Sequence, residues 1–202
     1  MKLYYYPGAC SLAAHIVLRE ADYEFSLDKV DLANKTTASG EDFRQVNPKG
    51  YVPALRLDND QVLTEDAVIL QYLADLKPEA GLAPRAGGLE CYRELEWLNF
   101  IATEVHKTLG SLFNPRMTPE WKENQIALFG RRAAWLSRQL GDQPYLMGER
   151  YSIADAYLFT VLGWCRLFDI NLGAWPNLEA YMERIAQRPA VKAAMRAEGL
   201  IT

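Results

Sequence analysis

Cys10 stands directly behind Pro7-Gly8-Ala9 and ahead of Ser11, where a short aromatic run hands over to a helical pattern. A thiol at a helix N-terminus meets unpaired N–H groups and the positive end of the helix dipole, and both lower its pKa. On that reading Cys10 carries an accessible thiolate and alkylates faster than Cys91, in a long helical pattern, or Cys165, in an apolar run. The plain alternative is a small packing residue. Val52 precedes Pro53, which holds it extended. Its N–H and C=O can then receive a peptide-like ligand as an added strand. Thr64-Glu65-Asp66 falls where a strand pattern gives way to a helix. Such a position either binds an anion through free N–H groups or is a plain cap, with Asp66 capping and Glu65 solvated. Asn99, Thr103 and His106, spaced i, i+4, i+7, share one helix face beside an apolar stripe, as a cleft-lining helix would. Ser152-Ile153-Ala154-Asp155 reads as a capping box with a structural role.

The elements that must position these residues fall into two unequal parts. Residues 1–78 alternate strand and helix signals: strand 2–6, helix 11–21, strand 25–30, a short helix 41–46, a hairpin from 54–57 and 61–63 across Asp58-Asn59-Asp60, and helix 66–76. The order β-α-β-α-β-β-α implies a mixed sheet. Residues 79–88 carry two of the punctuating residue types, Pro and Gly, and read as a linker. Residues 89–202 read as all helix. Leu95, Leu98, Ala102, Val105 and Leu109 form a core-facing stripe, helices follow over 120–140 and 153–168, and two shorter ones over 178–188 and 190–197 are broken at Pro189. All five Trp lie in this second part. The fold class is therefore α/β followed by an all-α helical domain.

Composition excludes several classes of function. The chain has 202 residues, a net charge of −4 and 50% hydrophobic residues. Residues 1–78 hold 8 Lys/Arg against 12 Asp/Glu, and the remainder holds 14 against 14. A nucleic-acid-binding surface is not expected at this charge. A membrane span needs about 20 apolar residues, and the apolar run at 156–165 is half that. Three widely spaced cysteines without a CxxC pair, and only two histidines, point away from disulfides and metal sites. With no signal-peptide pattern at the N-terminus, the expected compartment is the cytoplasm.

Four segments together resemble the beta class of bacterial glutathione S-transferases: Tyr4-Tyr5-Tyr6-Pro7-Gly8-Ala9-Cys10-Ser11, Asn47-Pro48-Lys49-Gly50-Tyr51-Val52-Pro53-Ala54-Leu55, Leu63-Thr64-Glu65 and Ser152-Ile153-Ala154-Asp155-Ala156. The resemblance extends over essentially the whole chain. It implies a thioredoxin-like domain over 1–78 that binds glutathione and a helical domain over 89–202 that supplies a hydrophobic substrate pocket. It also implies a homodimer with glutathione as co-substrate, no tightly bound cofactor and no metal. Cys10 matches the family's N-terminal cysteine. Val52 and a cis Pro53 match the segment that docks the cysteinyl part of glutathione. Glu65 and Asp66 match the pair at its γ-glutamyl end, and Lys35 a lysine at its glycyl carboxylate. Asn99, Thr103, Glu104 and His106 match the cleft-facing helix, with His106 near the sulfur, and Tyr5 lies beside the site. Many members carry a hydroxyl residue where Asp66 stands, so Asp66 is expected to act through its backbone more than its side chain. The implied reaction is attack of the glutathione thiolate on a hydrophobic electrophile. A glutathione-dependent thiol–disulfide reductase working through Cys10 alone, and a non-catalytic binding protein on the same scaffold, are the other readings.

Overall fold

The computed structural model describes residues 1–202. The chain divides into two compact units: residues 1–83 together with 188–202, and residues 84–187. The first unit is built on a five-stranded sheet in the order β3-β2-β1-β4-β5. Its strands are β1 (Lys2–Tyr5), β2 (Ser26–Asp31), β3 (Thr36–Thr37), β4 (Ala54–Arg56) and β5 (Val62–Thr64). β1 runs parallel to β2 and antiparallel to β4, with Leu3 opposite both Leu27 and Leu55. The sheet is mixed, as the element order implies, and has one short edge strand, β3, that the sequence pattern does not announce. A central strand flanked on both sides must be apolar on both faces, and Leu3, Tyr4 and Tyr5 are all buried. On one face Tyr4 packs with Val30, Phe43, Val46, Val52 and Ala54. Phe43 and Val46 come from the short helix α2 (Phe43–Val46), started by Asp42, whose side chain accepts from the Arg44 N–H.

Helix α1 (Ser11–Glu20) is buried from Ser11 through Leu18. It packs against α3 (Asp66–Leu76) and against the last helix, α9 (Pro189–Ala197). The run 188–202 therefore belongs to the sheet-containing unit, which a division of the chain at 79–88 does not anticipate. The last two helices part just before Pro189, as its position in the sequence implies. It occupies the first turn of α9, where a missing N–H costs nothing.

The second unit contains α4 (Leu89–Phe100), α5 (Lys107–Ser111), α6 (Pro119–Leu140), α7 (Ile153–Leu162) and α8 (Pro176–Ala186). Between α4 and α5, Ile101–His106 form a π-helical stretch. Residues 163–168, read from sequence as the continuation of α7, tighten instead into a 3₁₀ helix after Gly163. Every residue of α7 is buried, and Ser152 and Asp155 form the expected capping box at its start. Asp155 Oδ2 accepts from the Ser152 N–H at 2.8 Å, and its Oδ1 accepts from the Leu146 N–H and the Tyr181 hydroxyl, each at 2.9 Å. Burial pushes this carboxyl up to about 6 against the pull of those hydrogen bonds.

Candidate active site

Within the first unit the structure gathers Cys10, Val52, Pro53, Glu65 and Asp66 from three loops. Cys10 is the residue immediately before α1. Its thiol donates to the Val52 carbonyl at 3.2 Å, and the Val52–Pro53 bond is cis. The Val52 carbonyl, expected to be open to an added strand, is thus already engaged by the chain itself. A carbonyl carries two lone pairs, so it keeps acceptor capacity.

The expectation of an easily ionised Cys10 is overturned. The thiol is pushed well above its usual range, first by burial and then by Asp66, with Glu65 adding a smaller effect; the Ser11 and Cys10 N–H groups pull the other way and do not prevail. The reason is physical: a helix N-terminus favours the thiolate by a fraction of a unit charge, while full desolvation disfavours it by far more. Cys165 is pushed up to about 12, also by burial. Cys91 is the most exposed of the three.

Asp66 does not cap α3. It is the first residue of that helix, and the residue before it is Glu65, at φ +71° and without a side-chain cap. A non-glycine residue held in this region is strained and is found disproportionately at functional sites. Glu65 projects outward and pairs with Lys49, which also donates to the Thr64 hydroxyl at 2.8 Å. Asp66 is turned inward, 6% exposed. Both its carboxyl oxygens are buried without a hydrogen-bond partner. Burial, then the neighbouring Glu65, push it well above the usual carboxylate range.

Lys35 lies at φ +59° and donates from Nζ to the Gly50 carbonyl at 3.0 Å, against the segment that leads to Val52. Tyr5 is buried against the His15 ring, 6.3 Å between centroids. Burial raises its hydroxyl, so it is not a source of a phenolate.

A feature invisible in the sequence holds the Cys10 loop. Glu198, just beyond α9, accepts from the Gly8 N–H through Oε2 at 2.9 Å. Its Oε1 bonds Nδ1 of buried His15, also at 2.9 Å. Arg19 Nε donates to His15 Nε2, so Nδ1 carries the ring proton and donates to Glu198. Gly8 lies at φ +72°, and a Cβ there would come within 3.3 Å of Leu200. The partners stand 190 and 183 residues apart, so no local spacing could have found them.

The second unit carries Asn99, Thr103, Glu104 and His106. The helix that carries them is π-helical over Ile101–His106. A π turn closes i→i+5 and shifts the register of a helix face. Asn99 and Thr103 are exposed, and the Thr103 hydroxyl donates back to the Asn99 carbonyl at 3.0 Å. Glu104 pairs with Arg132. His106 is half-buried, with Nδ1 2.7 Å from the Tyr157 hydroxyl and its ring edge-on to Trp164. No group of three or more His, Cys, Asp or Glu side chains is placed to hold a metal ion. No helix is long and apolar enough to cross a membrane.

Residues 8–76 match the N-terminal domain of glutathione S-transferases and residues 100–189 their C-terminal domain. The chain belongs to the glutathione S-transferase family. Glutathione S-transferase GstA of Escherichia coli O157:H7 is 46% identical over 200 residues, covering 99% of this chain and all of that one. A glutathione transferase from Methylococcus capsulatus str. Bath is 62% identical with a TM-score of 0.97, covering 99% of both chains. A sphingomonad enzyme solved with glutathione is 47% identical at a TM-score of 0.96, and the beta-class enzyme of Sphingomonas chungbukensis 48% identical at 0.96; each match covers both chains completely. The chain is thus an enzyme of the glutathione transferase type, with glutathione as co-substrate.

Proposed function

We propose that this enzyme conjugates the thiol of glutathione to hydrophobic electrophiles. The observation that carries the proposal is the convergence of Cys10, the Val52–cis-Pro53 segment and the Glu65–Asp66 pair in one unit. In this reading the backbone at Val52 docks the cysteinyl part of glutathione, Glu65 and the α3 N-terminus take the γ-glutamyl end, and Lys35 the glycyl carboxylate. Glutathione is a weak nucleophile until its thiol ionises, so the site must stabilise the thiolate. A Cys10 that keeps its proton is suited to that task, since its Sγ–H can turn from the Val52 carbonyl to donate to the glutathione sulfur. We assign the working form as a homodimer in the cytoplasm.

The raised Cys10 thiol favours conjugation over thiol–disulfide exchange, because exchange requires the cysteine itself to attack as a thiolate. The test is retention on immobilised glutathione, followed by assay against aryl halides, epoxides, disulfides and peroxides. Turnover of aryl halides or epoxides that survives Cys10→Ala supports conjugation. Turnover of disulfides alone, lost in Cys10→Ala, assigns a reductase. Retention without any turnover assigns a binding protein.

A further inference from the structure

Buried polar groups in folded proteins are almost always hydrogen-bonded, and an exception calls for a cause. Asp66 is such an exception, with two enclosed oxygens and no donor for either. Its place makes the exception consequential. It is the first residue of the eleven-residue helix α3, where free N–H groups and the dipole favour an anion. An ionised carboxylate at that position would itself neutralise the helix end. The groups facing it are the Cys10 thiol, from the mouth of α1, and Glu65, with Lys49 reached only through Glu65. His15 on α1 is occupied by Glu198 and Arg19. No cation is therefore paired with Asp66, and its immediate charged neighbour is an acid.

Resting on the glutathione reading above, we propose that Asp66 is a proton-dependent gate on the γ-glutamyl carboxylate. While un-ionised, it leaves the α3 N-terminus free to hold that anion; once ionised, it places a fixed negative charge beside the anion and expels it. A hydroxyl residue at this position would hold the ligand at any pH, whereas an aspartic acid makes affinity follow the proton. The division of labour matches a zwitterionic ligand end: exposed Glu65 takes the ammonium, and the neutral acid leaves the helix end to the carboxylate. Burial, which raises the carboxyl, keeps the gate open under conditions where a solvated aspartate would close it.

S-methylglutathione is the probe, because it has no thiol to titrate and cannot form a disulfide with Cys10. Its dissociation constant is measured by calorimetry from about pH 5 to about pH 9 for the wild type, Asp66→Asn and Asp66→Ser. Proton linkage predicts that wild-type affinity falls by about tenfold per pH unit once Asp66 ionises, relative to both variants, with proton uptake on binding in that range. The ligand's own amine is common to all three measurements and cancels in the comparison. A wild-type profile parallel to that of Asp66→Asn, or an affinity that rises with pH relative to it, overturns the gate and leaves the glutathione reading standing. Absence of binding by the wild type at every pH overturns both. Should Asp66→Asn fail to fold, Asp66→Ser carries the comparison, and a wild-type affinity that does not fall across the range overturns the gate by itself.

Discussion

Asp66 and Asp155 are the same residue type, each the acid of a first helical turn and each buried, yet they are opposites. Asp155 accepts from two backbone N–H groups and a tyrosine hydroxyl. Asp66 accepts from nothing. Evolutionarily neutral physics explains the contrast: an acid whose partners all lie within the protein is there for the fold, and an acid left without partners is tolerated where something other than the fold requires it.

The difference can be broken or sharpened by substitution. The largest effect is expected at Asp155. Asp155→Ala strands the Leu146 and Ser152 N–H groups and the Tyr181 hydroxyl, each buried donor costing about 1–3 kcal/mol. Equilibrium unfolding should show a loss on the order of 3–5 kcal/mol; a loss below about 1 kcal/mol would remove Asp155 from the fold's framework. Glu198 is a third buried acid, partnered like Asp155 but set against the Cys10 loop. Glu198→Ala should cost about 2 kcal/mol through the Gly8 N–H and His15, and should lower turnover as well. Unchanged turnover in the folded variant would separate the loop's position from catalysis.

Next in size is the reactivity of Cys10. A thiol held above its usual range contributes little thiolate at neutral pH, so brief alkylation and peptide mapping should label Cys91 about tenfold faster than Cys10. Labelling of Cys10 should then climb about tenfold per pH unit into the alkaline range. Preferential labelling of Cys10 at neutral pH would restore the activated-thiolate picture. The smallest effect is expected at Asp66. Asp66→Ala removes a buried group that bonds to nothing, so its stability should match or exceed that of the wild type. The sign with pH is also set. A carboxyl raised in the folded state binds more protons there than in the unfolded chain, so wild-type stability falls as pH rises from the unfolded value through the folded one. Asp66→Ala should lack that fall in denaturant titrations at a series of pH values.

Local patterns carried much of this architecture. The turn residues Asp58-Asn59-Asp60 and the capping box at Ser152 each encode their element within a few positions, and each is found where its pattern places it; the strand expected over 25–30 forms as β2, but Asp28, on the polar phase of its alternation, is buried beside Val30. The cis bond at Pro53 and the gathering of Cys10, Val52 and Glu65 follow from motif resemblance, not from periodicity. What escaped the sequence was non-local or energetic. The π turn at Ile101–His106 has no periodic signature. The state of Cys10 depended on how deeply the thiol is enclosed, which no position relative to a helix end reveals. The edge strand β3 is two residues long and leaves too little pattern to read. Glu198 is joined to its partners only by the return of the chain.

That return sets an order of events during synthesis. Residues 1–83 leave the ribosome first, yet the helix that covers α1 and the carboxylate that fastens Gly8 come from residues 188–202. In the interval the whole helical unit, residues 84–187, is made. Until the chain's last helix emerges, the nascent sheet unit has the apolar side of α1 uncovered and the Cys10 loop untethered. The unit with the site's cysteine is thus completed last, although it is begun first.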